Sequence, residues 1–401
     1  MSGHIDVLKT KVDPTEVIDL TCDLIQIESH QDHDGHEKDV TYFIKDYLEK
    51  EGIEVELQEV VDGRSNVIAR VRGDGSGPTL LLNGHTDTVP PYEMENAFEP
   101  KIEDGKIFGR GSVDMKGALA AMISVLVAIK RSNVSLRGDV MFAATIGEEN
   151  YSPGAYHFLK SGLDADFAIV GEPTGMNVGI AHKGVVWGEA IFEGKSVHGS
   201  VPDKGINAIY KATAWIGKIT SEYIPELNKR GHPILGKPTI NIGEINGGTR
   251  PVIVPNQCVV KFEQRLLPNE KEETVLGDLQ ALIDQLAEYD PDMKGTVKEL
   301  PVFKGVPHRA LEADPDSVLV KALCKAYEKV FESSTEPVGL QFWTDGALIG
   351  DIPGIQTVVC GPGSIEQAHS NEEYISKEQL LAAFQMYLEV AETLCVKGNE
   401  K

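Results

Sequence analysis

Apolar positions change period several times along this chain, and each change marks a different kind of element. Over residues 14–50, Val17, Leu20 and Leu24 recur at helical spacing behind Pro14, which predicts two helices around a polar loop. Short apolar runs then alternate with helical stretches. Strands are expected over 67–71, 79–82, 139–146 and 167–170, and helices over 115–130 and 153–160. Strand and helix in alternation at this spacing imply an α/β fold, a mostly parallel sheet with helices on both faces. Near residue 182 the texture shifts. Strands over 184–192 and 238–245 precede one in which Cys258, Val260 and Phe262 alternate with Val259, Lys261, Glu263 and Arg265, the signature of a half-buried strand. With helices through Ile206–Ile216 and over 270–289, and a last strand over 295–300, the order is β-α-β-β-α-β, an α+β ferredoxin-like arrangement. Helices over 315–332 and 376–396 and strands over 338–342 and 355–360 return to the first texture. The expected organisation is one α/β domain made of 1–181 and 303–401, with a smaller domain, 182–302, inserted.

Charge narrows the partners. The 401 residues hold 62 acidic and 38 basic side chains, a net of −24. That excess opposes nucleic acid and anionic membranes, which need a basic face. The longest nearly apolar stretch, 118–129, is too short to span a bilayer, and no signal-peptide pattern opens the chain. The 5 cysteines are scattered without a C-x-x-C pair, as free thiols in a reducing cytoplasm would be. A soluble cytoplasmic protein is expected.

Candidate chemistry follows the strands. After 79–82 comes Asn-Gly-His85-Thr-Asp87, after 139–146 comes Gly-Glu148-Glu149, after 167–170 comes Gly-Glu172-Pro, and His369 follows 355–360; Asp114 precedes a helix. Open α/β sheets bind ligands at the carboxyl ends of their strands. Imidazoles and carboxylates converging there form a nitrogen/oxygen set suited to zinc, manganese or cobalt. Two ions use the inventory better than one: an aspartate bridges, and one His and one Glu complete each. Such a pair acidifies water, Glu148 is left to shuttle its proton, and Asp87 is placed to accept the second N–H of His85. Each signal alone has a plainer reading as a turn or a solvated edge, but in order and at successive strand ends they describe one site. His30, His33 and His36 lie in a solvated acidic loop, and His157, His182, His232 and His308 have no partner motif. Neither a P-loop, nor G-x-G-x-x-G, nor G-x-S-x-G occurs.

The segments NGHTDTVP (83–90), GRGSVDMKGALAAM (109–122), GEEN (147–150), VGEPTG (170–175) and GPGSIEQAHSNEEYI (361–375) resemble the co-catalytic di-zinc amidohydrolase/peptidase family of acetylornithine deacetylase, succinyl-diaminopimelate desuccinylase, aminoacylase and carboxypeptidase G. The resemblance covers essentially the whole chain. It implies that His85 and Glu172 hold one zinc, Glu149 and His369 the other, that Asp114 bridges them, that Glu148 is the general base and that Asp87 orients His85. It further implies that the larger domain is catalytic and that the inserted one is a lid and homodimerisation domain. There His198, in GKSVHGSVPDKGINAI, assists the oxyanion, and Arg265, in FEQRLLP, meets a substrate carboxylate. Where relatives carry Asn after the lid's Gly-Gly, this chain has Val252, and Arg250 is the nearby polar candidate for that contact. The activity implied is hydrolysis of an amide beside a free carboxylate, foremost in an N-acyl amino acid. A dipeptidase or carboxypeptidase of the same family is the alternative, and a binding protein that keeps the fold without turnover would have lost ligands that are all present here.

Overall fold

A computed structural model describes residues 4–398 apart from 163, 301–304 and 353. The expected boundary at 302/303 therefore lies outside the described residues. The chain divides into two compact units, one of Met1–Ala181, Glu312–Leu340 and Thr344–Lys401, the other of His182–Leu311 and Gln341–Trp343.

The first unit is built on a sheet whose four central strands, Val140–Thr145, Leu80–His85, Phe167–Pro173 and Gln356–Gly361, run parallel. Their carboxyl ends consequently share one edge. Period-two alternation buries both faces. Leu80, Leu82, Phe142, Ala144, Ile169 and Val358 join one large apolar cluster with the helices Gly117–Ser132 and Lys377–Cys395. Their alternates Leu81, Met141, Ala143, Ala168 and Val359 are as deeply buried, and the helices Pro153–Lys160 and Gly346–Gly350 pack on these central strands.

Local chemistry sets the element ends. Helix Pro14–Ile25 starts at a capping box, Asp13 accepting from the N–H of Thr15 at 2.8 Å while Glu16 accepts from the N–H of Asp13 at 2.8 Å. The segment Ser112–Ser132 is long and apolar enough by length and composition to cross a membrane, yet its most apolar stretch is buried inside the protein, and its α-helix begins only at Gly117 because Asp114 and Met115 leave helical backbone angles. The apolar stretch seen in the sequence is shorter because Lys116 interrupts it; that lysine is buried by donating to the carbonyl of Ile27 at 2.6 Å.

Several elements lie outside the expected pattern. Glu54–Val61 is a strand, paired antiparallel with Arg64–Val71 as a hairpin at the sheet edge; Val55 and Leu57 alternate with exposed Glu54 and Glu56 and pack against the core, a period-two pattern that the expected elements passed over. A small sheet of Lys101–Glu103, Lys106–Phe108 and Tyr374–Ser376 uses strands too short to leave a period.

In the second unit an antiparallel sheet is ordered Thr239–Gly247, Gln257–Leu266, Gly184–Glu193, Gly295–Glu299. This is the ferredoxin-like strand order expected from β-α-β-β-α-β. Helices Ala208–Lys218 and Glu272–Ala287 close one face, where Phe192, Trp215, Phe262 and Leu279 form the core and the Trp215 indole donates to the carbonyl of Leu279 at 3.0 Å. On the opposite face Val259, Lys261, Glu263 and Arg265 stay partly exposed.

Candidate metal centre

The parallel strands deliver their polar ends to one place. His85 closes its strand, Glu172 lies within Phe167–Pro173, and Glu148 and Glu149 sit in a short turn just past Thr145. Gly147 enters that turn at φ 74°, and a Cβ there would meet Pro153 at 2.8 Å, so only glycine fits. Gly361 lets the next strand approach, since a Cβ would lie 2.0 Å from the carbonyl oxygen of Gly171.

Asp114 stands at the centre. Its Oδ1 is 3.0 Å from His85 Nε2 and its Oδ2 is 3.3 Å from His369 Nε2. Each imidazole also faces a glutamate: His85 Nε2 is 3.6 Å from Glu172 Oε1, and His369 Nε2 is 2.9 Å from Glu149 Oε1. The donor atoms of His85, Asp114 and Glu149 lie within 4.8 Å of one another, as do those of His85, Glu148 and Glu172.

Asp87 meets His85 through two groups. The Nδ1 of His85 meets the main-chain carbonyl of Asp87 at 2.9 Å, and the Asp87 carboxylate is farther, at 3.5 Å. That carboxylate also accepts from the N–H groups of Glu148 and Glu149 at 3.0 and 2.9 Å. One residue thus orients the imidazole through its backbone and clamps the Glu-Glu turn through its side chain.

Electrostatics show how acidic the cluster is. Burial pushes the Glu148 and Glu172 carboxyls well above the usual range, and neighbouring carboxylates add to it. Glu149 is raised by burial and by Asp114. Burial alone would lower His85, but Glu172, Asp114 and Asp87 overcome it and hold the ring well above its usual value. Hydrogen bonds to Asp114 and Glu149 lift His369 to about 10. Asp114 is driven low, the two imidazoles outweighing its burial. Raised imidazoles among raised carboxyls show an excess of acidic groups packed around two rings. Glu172 Oε1 is moreover buried without a hydrogen-bond partner. Nitrogen and oxygen donors with no sulfur, one unsatisfied carboxylate oxygen and an aspartate facing two imidazoles fit a pair of divalent ions.

Two groups here stand outside the expected site residues. Glu373 is buried, and it accepts from Arg110 Nη1 at 2.6 Å and from the N–H groups of Gly111, Val113 and Asp114 at 3.0, 3.0 and 3.2 Å. It therefore anchors the loop of Asp114 from a position just beyond His369. Asp345, held by the Thr145 hydroxyl at 3.0 Å, is raised to about 6 by burial and sits in the field of Glu148 and Glu172. A pairing across so many residues leaves no periodic trace.

The other expected residues lie in the second unit. His198 is exposed; its Nδ1 faces Ser200, 2.8 Å from the hydroxyl oxygen and 3.2 Å from the backbone nitrogen. Arg250 is exposed beside a cleft of about 550 Å³ lined also by Asn207, Tyr210 and Thr249. Arg265 donates from Nε to Glu263 Oε1 at 2.8 Å. His182 and His308 are buried, hydrogen-bonded to backbone carbonyls and packed against Trp343, as structural histidines are.

Comparison with known proteins identifies the family. The model of peptidase family M20/M25/M40 matches residues 81–393. A protein named probable succinyl-diaminopimelate desuccinylase from Staphylococcus epidermidis is 28% identical over 413 residues, covering 95% of this chain and 98% of its own. Acetylornithine deacetylase of Aliivibrio fischeri is 32% identical over 338 residues, 82% of this chain and 84% of its own. Among solved structures, aminopeptidase PepT of Bacillus cereus superposes with a TM-score of 0.79 at 23% identity, over 95% of this chain and 99% of that one. A Bacillus subtilis protein described as a dinuclear metal-binding peptidase gives 0.73 at 19% identity, over 94% and 97%. The chain belongs to peptidase family M20/M25/M40 and is a hydrolase of amide bonds.

Proposed function

We propose that the protein is a two-metal deacylase of N-acyl amino acids. His85 and Glu172 would hold one ion, Glu149 and His369 the other, and Asp114 would be shared between them. The observation that carries this reading is Asp114 turning one oxygen to each imidazole, at 3.0 and 3.3 Å. Zinc suits the donor set best, with cobalt and manganese as substitutes. When bound, the ions supply Lewis acidity, acidifying water and drawing charge from the scissile carbonyl. Glu148 takes the proton of the attacking water and delivers it to the leaving amine, since it lies within reach of the His85 and Glu172 donor atoms. Asp87 keeps Glu148 and Glu149 in register through their N–H groups. His198 offers its Nε2–H to the carbonyl oxygen as it becomes an oxyanion. Arg265 grips the carboxylate beside the amide through two parallel N–H bonds, and Arg250 makes a further polar contact to substrate. All five cysteines are free, which supports work in a reducing cytoplasm.

A panel of N-acetyl, N-succinyl and N-formyl amino acids and dipeptides tests the reading. N-acyl amino acids should be cleaved fastest, chelator should abolish turnover, and added zinc should restore it. Faster dipeptide cleavage would establish the peptidase alternative; turnover indifferent to chelator would reject both.

The protein should work as a homodimer through its second unit, each His198 serving the partner's site. Mixing Glu148→Ala and His198→Ala subunits after dissociation tests this. Half of the reassociated dimers should be mixed, each with one complete site, so about a quarter of wild-type activity should return. If His198 serves its own chain, mixing restores nothing.

A further inference from the structure

On the open face of the lid sheet, Arg265 does not stand alone. Its neighbour two residues away on the same face, Glu263, accepts from Arg265 Nε at 2.8 Å. Trp187, directly opposite Glu263 in the antiparallel register, donates its indole N–H to the other oxygen of that carboxylate at 3.2 Å. Trp187 is in turn packed edge-on against the buried His308, with ring centroids 5.0 Å apart. A rigid chain therefore runs from the unit's interior through the indole and the carboxylate to the guanidinium. The hydrogen bond to Nε uses the side of the fork that a carboxylate could otherwise occupy. The two Nη groups donate to no acceptor among the described residues, and the side chain stays partly exposed at 27%. One edge of the guanidinium is thus locked and the opposite edge is presented.

We infer that Glu263, braced by Trp187, is a positioning residue that makes Arg265 present only its Nη edge to the carboxylate of the substrate. The inference rests on the reading of Arg265 as the carboxylate clamp. A long arginine side chain that must be ordered by the ligand loses rotamer freedom on binding, and a preset one does not. Glu263 also places a negative charge beside an anion-binding group, which moderates its attraction for carboxylates and favours release of the amino-acid product. Geometry and charge make opposite contributions to affinity, so variants can separate them. Glutamine keeps an acceptor for Nε and removes the charge; alanine removes both; phenylalanine at 187 removes only the brace.

The experiment compares kcat and KM for an N-acetyl amino acid and for its carboxamide, in wild type and in Glu263→Ala, Glu263→Gln, Trp187→Phe and Arg265→Ala. Glu263→Ala should raise KM for the acid about tenfold, the scale of one ordered charge-assisted contact, with kcat unchanged and the amide unaffected. Trp187→Phe should shift KM in the same direction by about threefold, a fraction of that contact. Glu263→Gln should leave KM for the acid unchanged or lower it. Equal effects of Glu263→Ala on acid and amide, or none on either, would overturn the inference while Arg265→Ala still hurts the acid selectively. If Arg265→Ala itself treats acid and amide alike, the clamp reading falls and this inference falls with it.

Discussion

Glu148→Ala should retain its metal ions and bind substrate, yet lose turnover on the order of 10²–10⁴-fold, the usual worth of a positioned general base. Glu148 lies within 4.8 Å of the donor atoms of His85 and Glu172, so it is close enough to reach a water held among them. The main chain at this position is fixed independently of its side chain, through the N–H bond to Asp87 at 3.0 Å. The turn should therefore survive the substitution, and the loss should fall on kcat with KM nearly unchanged. Elemental analysis and steady-state kinetics on the same preparation check this. A variant that loses a metal ion would make Glu148 a ligand and reassign the base.

Asp114→Ala should cost both metal ions at once, whereas His85→Ala and His369→Ala should each mainly empty one site. The asymmetry follows from position: the Asp114 oxygens face His85 and His369 separately, and no other side chain in the cluster is within hydrogen-bonding distance of both rings. Losing a shared ligand removes charge from both ions. The loop itself should hold, because Glu373 grips the N–H groups of Gly111, Val113 and Asp114 and does not touch the Asp114 side chain. Metal content measured beside thermal unfolding of the metal-free forms separates the two effects. Close to two ions retained by a folded Asp114→Ala protein would end the bridging assignment.

The unread parts of the fold and site differ in character. The strand Glu54–Val61 was legible, since Val55 and Leu57 alternate with Glu54 and Glu56, whereas the three short strands around Phe108 bury too little to need a pattern. The double duty of Asp87 could not be anticipated, since sequence spacing does not tell a carbonyl from a carboxylate as the partner of Nδ1. Glu373 and Arg110 lie 263 positions apart and are ordinary charged residues until both are buried together.

What the sequence determined by itself is the periodic and the local: the parallel strands with apolar alternates on both faces, the β-α-β-β-α-β order of the second unit, and polar residues placed at strand ends. These are legible because burial acts on every second or every third-to-fourth residue and writes its period into the chain. The tertiary structure alone decided which donor faces which. It turned the two oxygens of Asp114 to different imidazoles, set Glu373 behind that loop, and braced Arg265 through Glu263 and Trp187. Such pairings are made between elements distant in the chain, and their energy depends on separations of a few ångströms in a buried, weakly screened environment. No period records a distance of that kind.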